Sequence, residues 1–299
     1  MDSDSDFYGD EETVSKLEAR VADFDPTQVH SIKQESSSLI IPNILLKRSS
    51  SPSPSPSKQP RLHNRFADKP GCWRVNHETL DEFLLRLPPS TTQPVGSNAD
   101  SWIWAANPYL SPGSSPSPDL PSFREGGRAR LALLSAFNTH CKSTPGKPRL
   151  AIRRELDRAR DDAVGDLRAL AVRCNVVAGK WMLFVDSSSA EVDSVWEAVA
   201  RATANNELGI GAKVEPCSLA VIKERLVVVY TRDFRDIDDI GRVLEKLREL
   251  GLVRFNSGKQ IYYKSDAWTE LGIYGNNEWG IKASMYSSDE MFQYIRSKR

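Results

Sequence analysis

Between Tyr262 and Tyr286 the chain reads YYKSDAWTELGIYGNNEWGIKASMY, and of its seven Trp and eight Tyr, six lie in that stretch: Tyr262, Tyr263, Trp268, Tyr274, Trp279 and Tyr286. Rings with polar tips at such density belong to the core of a sheet or to a surface on which flat ligands stack. No other segment says as much about fold or partner.

The pattern upstream alternates. Helical periodicity predicts helices over Leu80 to Leu87, Ala129 to His140 and Arg149 to Arg173, the last with Ile152, Leu156, Ala163, Leu167 and Leu170 on one face. A capping box of Ser188 with Glu191 predicts the start of a further helix, which carries Val192, Val195, Trp196 and Val199 and ends near Asn205 and Asn206. Another spans about Asp236 to Leu250, with Gly251 as its stop. Strands are expected at Ser101 to Ala106, Lys180 to Val185, Leu226 to Tyr230, Leu252 to Phe255, Gln260 to Lys264 and Gly280 to Tyr286. Helices interleaved with strands, several of them clustered at the end, predict an α+β domain with a largely antiparallel sheet backed by helices on one face.

Residues 1 to 68 lack sustained periodicity and contain SSSPSPSPSKQP, in which Ser51, Ser53 and Ser55 each precede proline. Such a composition buries too little apolar surface to offset its ordering entropy, so this part reads as a disordered, acidic and Ser/Pro-rich tail ahead of one domain over 69–299. The apolar Leu39 to Leu46 piece is its candidate docking peptide, and Ser111 to Ser122 reads as a second Ser/Pro-rich loop inside the domain. Lys47 and Arg48 followed by Lys58 to Arg61 give only a weak import signal.

Charge is unevenly spread. The chain holds 40 basic and 40 acidic residues, but nine acidic against two basic side chains fall in residues 1–25, leaving a surplus of seven positive charges on the rest. That surplus permits a polyanionic partner. From Arg124 to Arg173, twelve Arg or Lys face six Asp or Glu. Arg153, Arg154, Arg158, Arg160 and Arg168 are candidates for a phosphate-reading stripe, although the interleaved carboxylates suit a solvated helix with local ion pairs better.

Cys72, Cys141, Cys174 and Cys217 are far apart with no C-x-x-C pair, which removes zinc-ribbon and redox-motif readings and fits a reduced, intracellular setting, cytoplasmic, nuclear or both. The longest apolar run, Leu39 to Leu46, is broken by Pro42 and Asn43 and is far short of the roughly 20 residues a spanning helix needs, so no membrane is expected. His77 and His140 are the histidines outside the tail, and His140 and Cys141, adjacent on a helix, point to different faces. LGIGAKV lacks the length and terminal Ser/Thr of a phosphate loop, its glycine reading as a helix stop, and DFRDIDDI reads as an acidic helix start. No catalytic residue, metal or cofactor is therefore assigned.

Four blocks in order carry a resemblance: GKWMLFVDSSSAEVDSVWEAVARAT, LGIGAKV, VVYTRDFRDIDDI and YYKSDAWTELGIYGNNEW. Over roughly Asp100 to Tyr286 the chain resembles an uncharacterised eukaryotic family named after a basophilic-leukaemia-expressed protein. Members of that family look like the cap-binding translation initiation factor 4E in fold, which implies a curved antiparallel sheet backed by helices. The likeness to the factor itself rests on KWMLFV followed by a helix with Trp196 at its middle. It implies a shape and transfers no activity.

A positively charged flat base would need two stacking rings, a carboxylate at the base edge and cations on the phosphates. Candidate rings are Trp102, Trp104, Trp268 and Trp279; candidate carboxylates are Glu270 and Glu278; candidate phosphate ligands are Lys259, Lys264 and Lys282. Core packing is the blander reading. It is favoured for Trp181 and Trp196, which lie in apolar-periodic segments, and for Trp102 and Trp104, which share a strand face; Trp268 and Trp279 sit beside turn residues that can bring them to the surface. Two functions of different class follow: a non-catalytic module binding RNA or a nucleotide, and a protein-interaction adaptor docking a peptide through the Trp196 helix or the Leu39 to Leu46 segment.

Overall fold

In a computed structural model that describes residues 62–64, 69–94, 102–111, 117–143, 148–217, 223–256 and 258–298, the strands are β1 (Ile103–Ala106), β2 (Gly179–Asp186), β3 (Gly211–Val214), β4 (Glu224–Thr231), β5 (Tyr262–Ser265) and β6 (Tyr286–Ser287). Among the described residues they form one six-stranded sheet in the order β1-β3-β4-β2-β5-β6, with every neighbouring pair antiparallel. The helices are α1 (Leu80–Arg86), α2 (Leu120–Ser143), α3 (Arg149–Arg173), α4 (Ser189–Ala204), α5 (Ile237–Glu249), α6 (Asp266–Glu270) and α7 (Ser288–Ser297).

Strand alternation decides what each face carries. On β2, Trp181, Leu183 and Val185 point into the large core, joined by Val227 and Val229 of β4 and Tyr263 of β5. Helical residues close that core: Trp196, Val192 and Val199 of α4 and Val243, Leu244 and Leu247 of α5 are fully buried. Each such side chain contributes about 1.5–3 kcal/mol on leaving water. Two polar ties fix the packing. Trp181 Nε1 donates to the Ile240 carbonyl at 3.1 Å, and the Tyr263 and Thr231 hydroxyls share a hydrogen bond of 2.6 Å.

Local chemistry sets the helix ends. Thr79 with Glu82 and Ser287 with Glu290 form reciprocal capping boxes at α1 and α7. Asn175, Asn206 and Gly251, just past the ends of α3, α4 and α5, adopt left-handed backbone, which satisfies the last carbonyls of each helix. On the outer edge of β1 the backbone is covered. Trp73 N donates to Trp104 O and Trp104 N donates to Gly71 O, both at 2.9 Å, removing an exposed strand edge.

Several sequence expectations are corrected. Helix α2 begins at Leu120, inside the stretch read as a Ser/Pro loop, because Asp119 Oδ1 accepts from Ser122 N and starts the turn. At α4, Ser188 makes no side-chain cap hydrogen bond, so the capping box with Glu191 does not form. LGIGAKV supplies strand β3 instead of a helix stop, since its short apolar run pairs with both β1 and β4. Leu252 to Phe255 forms no strand, and the Gly280 to Tyr286 run pairs only at Tyr286 and Ser287. Most of the stretch read as a tail, including Leu39 to Leu46, lies outside the described residues.

Candidate functional site

The second face of the sheet holds a separate aromatic cluster: Trp102 and Trp104 beside β1 and β3, Met182 on β2, Leu226, Val228 and Tyr230 on β4, Tyr262 on β5, and Cys72 from the covering segment. None of the described helices contributes to it. Three strands each place one lysine among these rings. Register sets Lys180 of β2 directly between Tyr230 and Lys264, and Lys213 of β3 between Trp104 and Val228. Partners across a pair project to the same side, so all three amines share the face of the two indoles.

These are deeply buried cations. Lys180, Lys213 and Lys264 are 1%, 0% and 1% exposed. Lys180 Nζ is 2.7 Å from Asp266 Oδ1 and 5.6 Å from the Tyr230 ring. Lys213 Nζ lies 4.0 Å from the Trp102 ring centre, 5.2 Å from that of Trp104 and 5.8 Å from that of Tyr230, while Trp104 and Tyr230 stack at 5.6 Å. Lys264 Nζ sits 4.1 Å over the Tyr274 ring. Among the described residues, Asp266 and Glu215 are buried here, the latter accepting weakly from Leu226 N at 3.4 Å, and the Glu270 side chain is 3% exposed beside Arg124.

Burial drives the electrostatics. Loss of water holds the Lys213 amine well below the ordinary lysine range, with Lys180 as a like charge adding to the drop and Asp266 opposing it. The surrounding rings act in the other direction, favouring the ammonium. The Tyr230 phenol is pushed well above its ordinary range, first by burial and then by the charges of Asp266 and Glu270.

Two further features shape the face. A Cβ on Gly211, opposite Tyr230, would meet only β1 backbone, Ala105 O at 3.3 Å and Ala106 Cα at 3.7 Å, and no side chain within 4 Å. The floor is therefore low at Gly211 and its partner Ala106. At the other end, Asp266 and Thr269 stand three residues apart on α6, and both Asp266 Oδ2 and Thr269 Oγ1 are buried without a hydrogen-bond partner among the described residues.

Of the residues singled out by sequence, the structure brings together Trp102, Trp104 and Lys264 and disperses the others. Trp102 and Trp104 are 3% and 6% exposed, so they are walls rather than open stacking platforms. Trp268 belongs to the helix-side core and donates to Lys282 O at 3.2 Å, because α6 turns its ring inward despite the neighbouring turn residues. Trp279 is half-buried and donates to Ser135 Oγ of α2 at 2.9 Å. Glu270 is committed to Arg124 at 2.6 Å. Glu278 is exposed. Lys259 and Lys282 are exposed and paired at 3.2 Å with Glu224 and Glu290. Trp196 is fully buried, which takes its ring away from any docked peptide. Sequence reasoning missed Lys180, Lys213 and Asp266. A signal was present for the two lysines: Lys180 and Lys213 each stand among apolar residues, in GKWMLFV and GAKV.

Residues 17–272 match the family described as basophilic leukemia-expressed protein Bles03. The chain belongs to that family. Among solved structures it is similar to Ascaris suum eIF4E-3 in complex with the m2,2,7G cap, at 20% identity and a TM-score of 0.28, covering 38% of this chain and 58% of that one. The same protein with the m7G cap matches at 21% identity and a TM-score of 0.27, with the same coverage. This Bles03-family chain thus spans under two thirds of those structures. Among the described residues no helix is long and apolar enough to cross a membrane, and no three His, Cys, Asp or Glu side chains gather as a metal site.

Proposed function

We infer that this chain is a non-catalytic binding module for a phosphate-bearing ligand, RNA or a nucleotide, taken up on the lysine-bearing face of the sheet. One observation carries the reading: three buried amines from three strands converge among aromatic rings on one face of the sheet. Burying a lysine is costly unless its ammonium is met by polar or charged groups, so three such side chains on one sheet face call for a reason beyond packing. A phosphate group is a strong acceptor for ammonium donors, and indole and phenol rings accept a flat base. The cationic surplus outside residues 1–25 works in the same sense.

The test is a titration of the full-length chain with single-stranded RNA and with nucleotides, read by tryptophan fluorescence at low and moderate salt. A fluorescence change whose midpoint moves to higher ligand concentration as salt rises supports the reading. No change with any of these ligands overturns it. A second reading, docking of a protein, draws on Leu133 and Phe137, which are 71% and 37% exposed one turn apart on α2. Its sign is a partner whose binding is lost in Leu133→Ser/Phe137→Ser while nucleotide binding is absent from the wild type.

A further inference from the structure

We propose that the outward face of α2 is covered by the chain's own residues 14–24, docked there as an acidic amphipathic helix. The proposal needs neither a ligand on the sheet face nor a partner protein.

Helix α2 itself is the first ground. Its inward side, with Phe123, Gly127, Leu131, Leu134 and Cys141, is buried in the domain. Its outward side is apolar as well. Ala129, Ala132, Leu133, Ala136 and Phe137 recur at helical spacing and are exposed, Leu133 at 71% and Phe137 at 37%. No charged residue falls between Leu131 and Thr139, and the Thr139 hydroxyl is spent on the Ser135 carbonyl at 3.0 Å. A helix apolar on both sides is one that a further element covers. Alanines beside two larger side chains form grooves and ridges that admit a second helix at close range.

Charge names the occupant. Residues 126–154 hold seven Lys or Arg and no Asp or Glu, and Arg128, Lys142, Arg149, Arg153 and Arg154 among them are exposed. Helix α3 packs against α2 after a connection of a few residues, which sets Arg149, Arg153 and Arg154 at the Phe137 end of the stripe. Residues 1–25 are the complement, with nine acidic side chains against two basic ones. Within them Val14, Leu17, Val21 and Phe24 follow at helical spacing, ahead of Pro26.

Length and reach agree with that choice. A helix over residues 14–24 is about 16 Å long, enough to cover the roughly 12 Å from Ala129 to Phe137. Residues 2–12 hold six acidic side chains and no basic one. Set over the basic end, they make the segment run antiparallel to α2, the favourable sense for the two helix dipoles. A coil the length of residues 25–61 spans roughly 30–36 Å, against a radius of gyration of about 18 Å for a domain of this size, so the segment meets α2 at an effective concentration near millimolar. The family match also begins inside the segment, at residue 17. The uncharged Leu39 to Leu46 piece could cover apolar surface but has nothing to answer seven cations.

Maleimide labelling of a thiol placed on the face tests the cover. In the full-length chain Ala136→Cys should react about tenfold more slowly than Ala136→Cys/Leu17→Asp/Val21→Asp, with the native cysteines of the parent chain as background. High salt should remove part of that difference. Glu278→Cys, a thiol at an exposed site away from α2, should react at one rate in both backgrounds, which shows that the domain stays folded. Equal rates at Ala136→Cys with and without the two aspartates overturn the proposal. Protection released by Ile41→Asp/Leu45→Asp instead gives the face to the other segment, and protection that grows with protein concentration gives it to a second copy; either result overturns it too.

Discussion

Replacing Lys213 with Met should make the protein more stable and less able to bind. Wild-type Lys213 is 0% exposed, and burial, aided by Lys180, keeps its amine well below the ordinary lysine range. Among the described residues, the groups facing it include Lys180 and Asp266 across the sheet, Glu215 just past its own strand, and the rings of Trp102, Trp104 and Tyr230. A lysine that stays charged pays desolvation, and one that escapes by losing its proton pays the free energy of deprotonation. With an unfolded value of about 10.4, the second route caps the cost at about 4.6 kcal/mol at pH 7 and about 1.9 kcal/mol at pH 9. The ring contacts return about 1–2 kcal/mol when the amine is charged. Met keeps the length of the side chain, packs well against aromatic rings and carries no charge. The variant should therefore gain roughly 1–3 kcal/mol at pH 7. The sign of the pH dependence follows from the depressed value. Between the folded and unfolded values the unfolded chain holds the extra proton, so wild-type stability rises with pH there, and the advantage of Lys213→Met shrinks toward pH 10. Urea unfolding of both proteins, followed by far-ultraviolet circular dichroism from pH 7 to 9.5 at fixed ionic strength, measures that gap. A variant no more stable than wild type at pH 7, or a gap that is constant with pH, refutes the account of a strained buried amine. A gain in stability joined to a loss of ligand binding is the pattern expected where a site is kept at the expense of the fold.

Other substitutions test the frame around the site. Asp266→Leu leaves Lys180 buried without its 2.7 Å partner and should cost about 3–5 kcal/mol, whereas Lys180→Met/Asp266→Leu should fall within about 1 kcal/mol of wild type; denaturant melts of wild type, Lys180→Met, Asp266→Leu and the double variant give the coupling. Gly209→Ala puts a Cβ 1.8 Å from the Tyr230 carbonyl oxygen and should cost on the order of 2–4 kcal/mol, visible as a fall in thermal midpoint. Gly165→Ala, mid-helix in α3 with nothing within 4 Å of the new methyl, should gain about 0.5–1 kcal/mol in the same assay. Trp181→Ala removes a fully buried ring and its bond to Ile240, with an expected loss of about 3–5 kcal/mol.

How legible the fold was depended on the length of each signal. Helix α3 runs over Arg149–Arg173 as its apolar spacing predicts, and α5 fills the span ahead of Gly251, which takes the left-handed backbone expected of a stop. Short elements were less readable. Four residues make β3, and Gly209 and Gly211 beside it resemble loop punctuation until the pairing with β1 and β4 is known. Leu252 to Phe255 looks as apolar as a strand but has no strand partner. Trp268 stands among turn residues, yet a five-residue helix carries its ring into the core. Among the candidate cations, Lys264 emerged from its aromatic neighbours, while Lys259 and Lys282 are spent on surface ion pairs.

By itself the sequence determined the class of the domain, the long helices and the apolar faces they bury, because those depend on residues three and four apart and on strict alternation, both written along the chain. It also set Lys180 and Lys264 in expected strands. Only the tertiary structure decided that Lys180, Lys213 and Lys264 lie on one face with Trp102, Trp104 and Tyr230, sealed from water beside Asp266. Cross-strand register does that, and register is a property of pairs of strands distant in sequence: a shift of one residue would send each amine to the opposite side of the sheet.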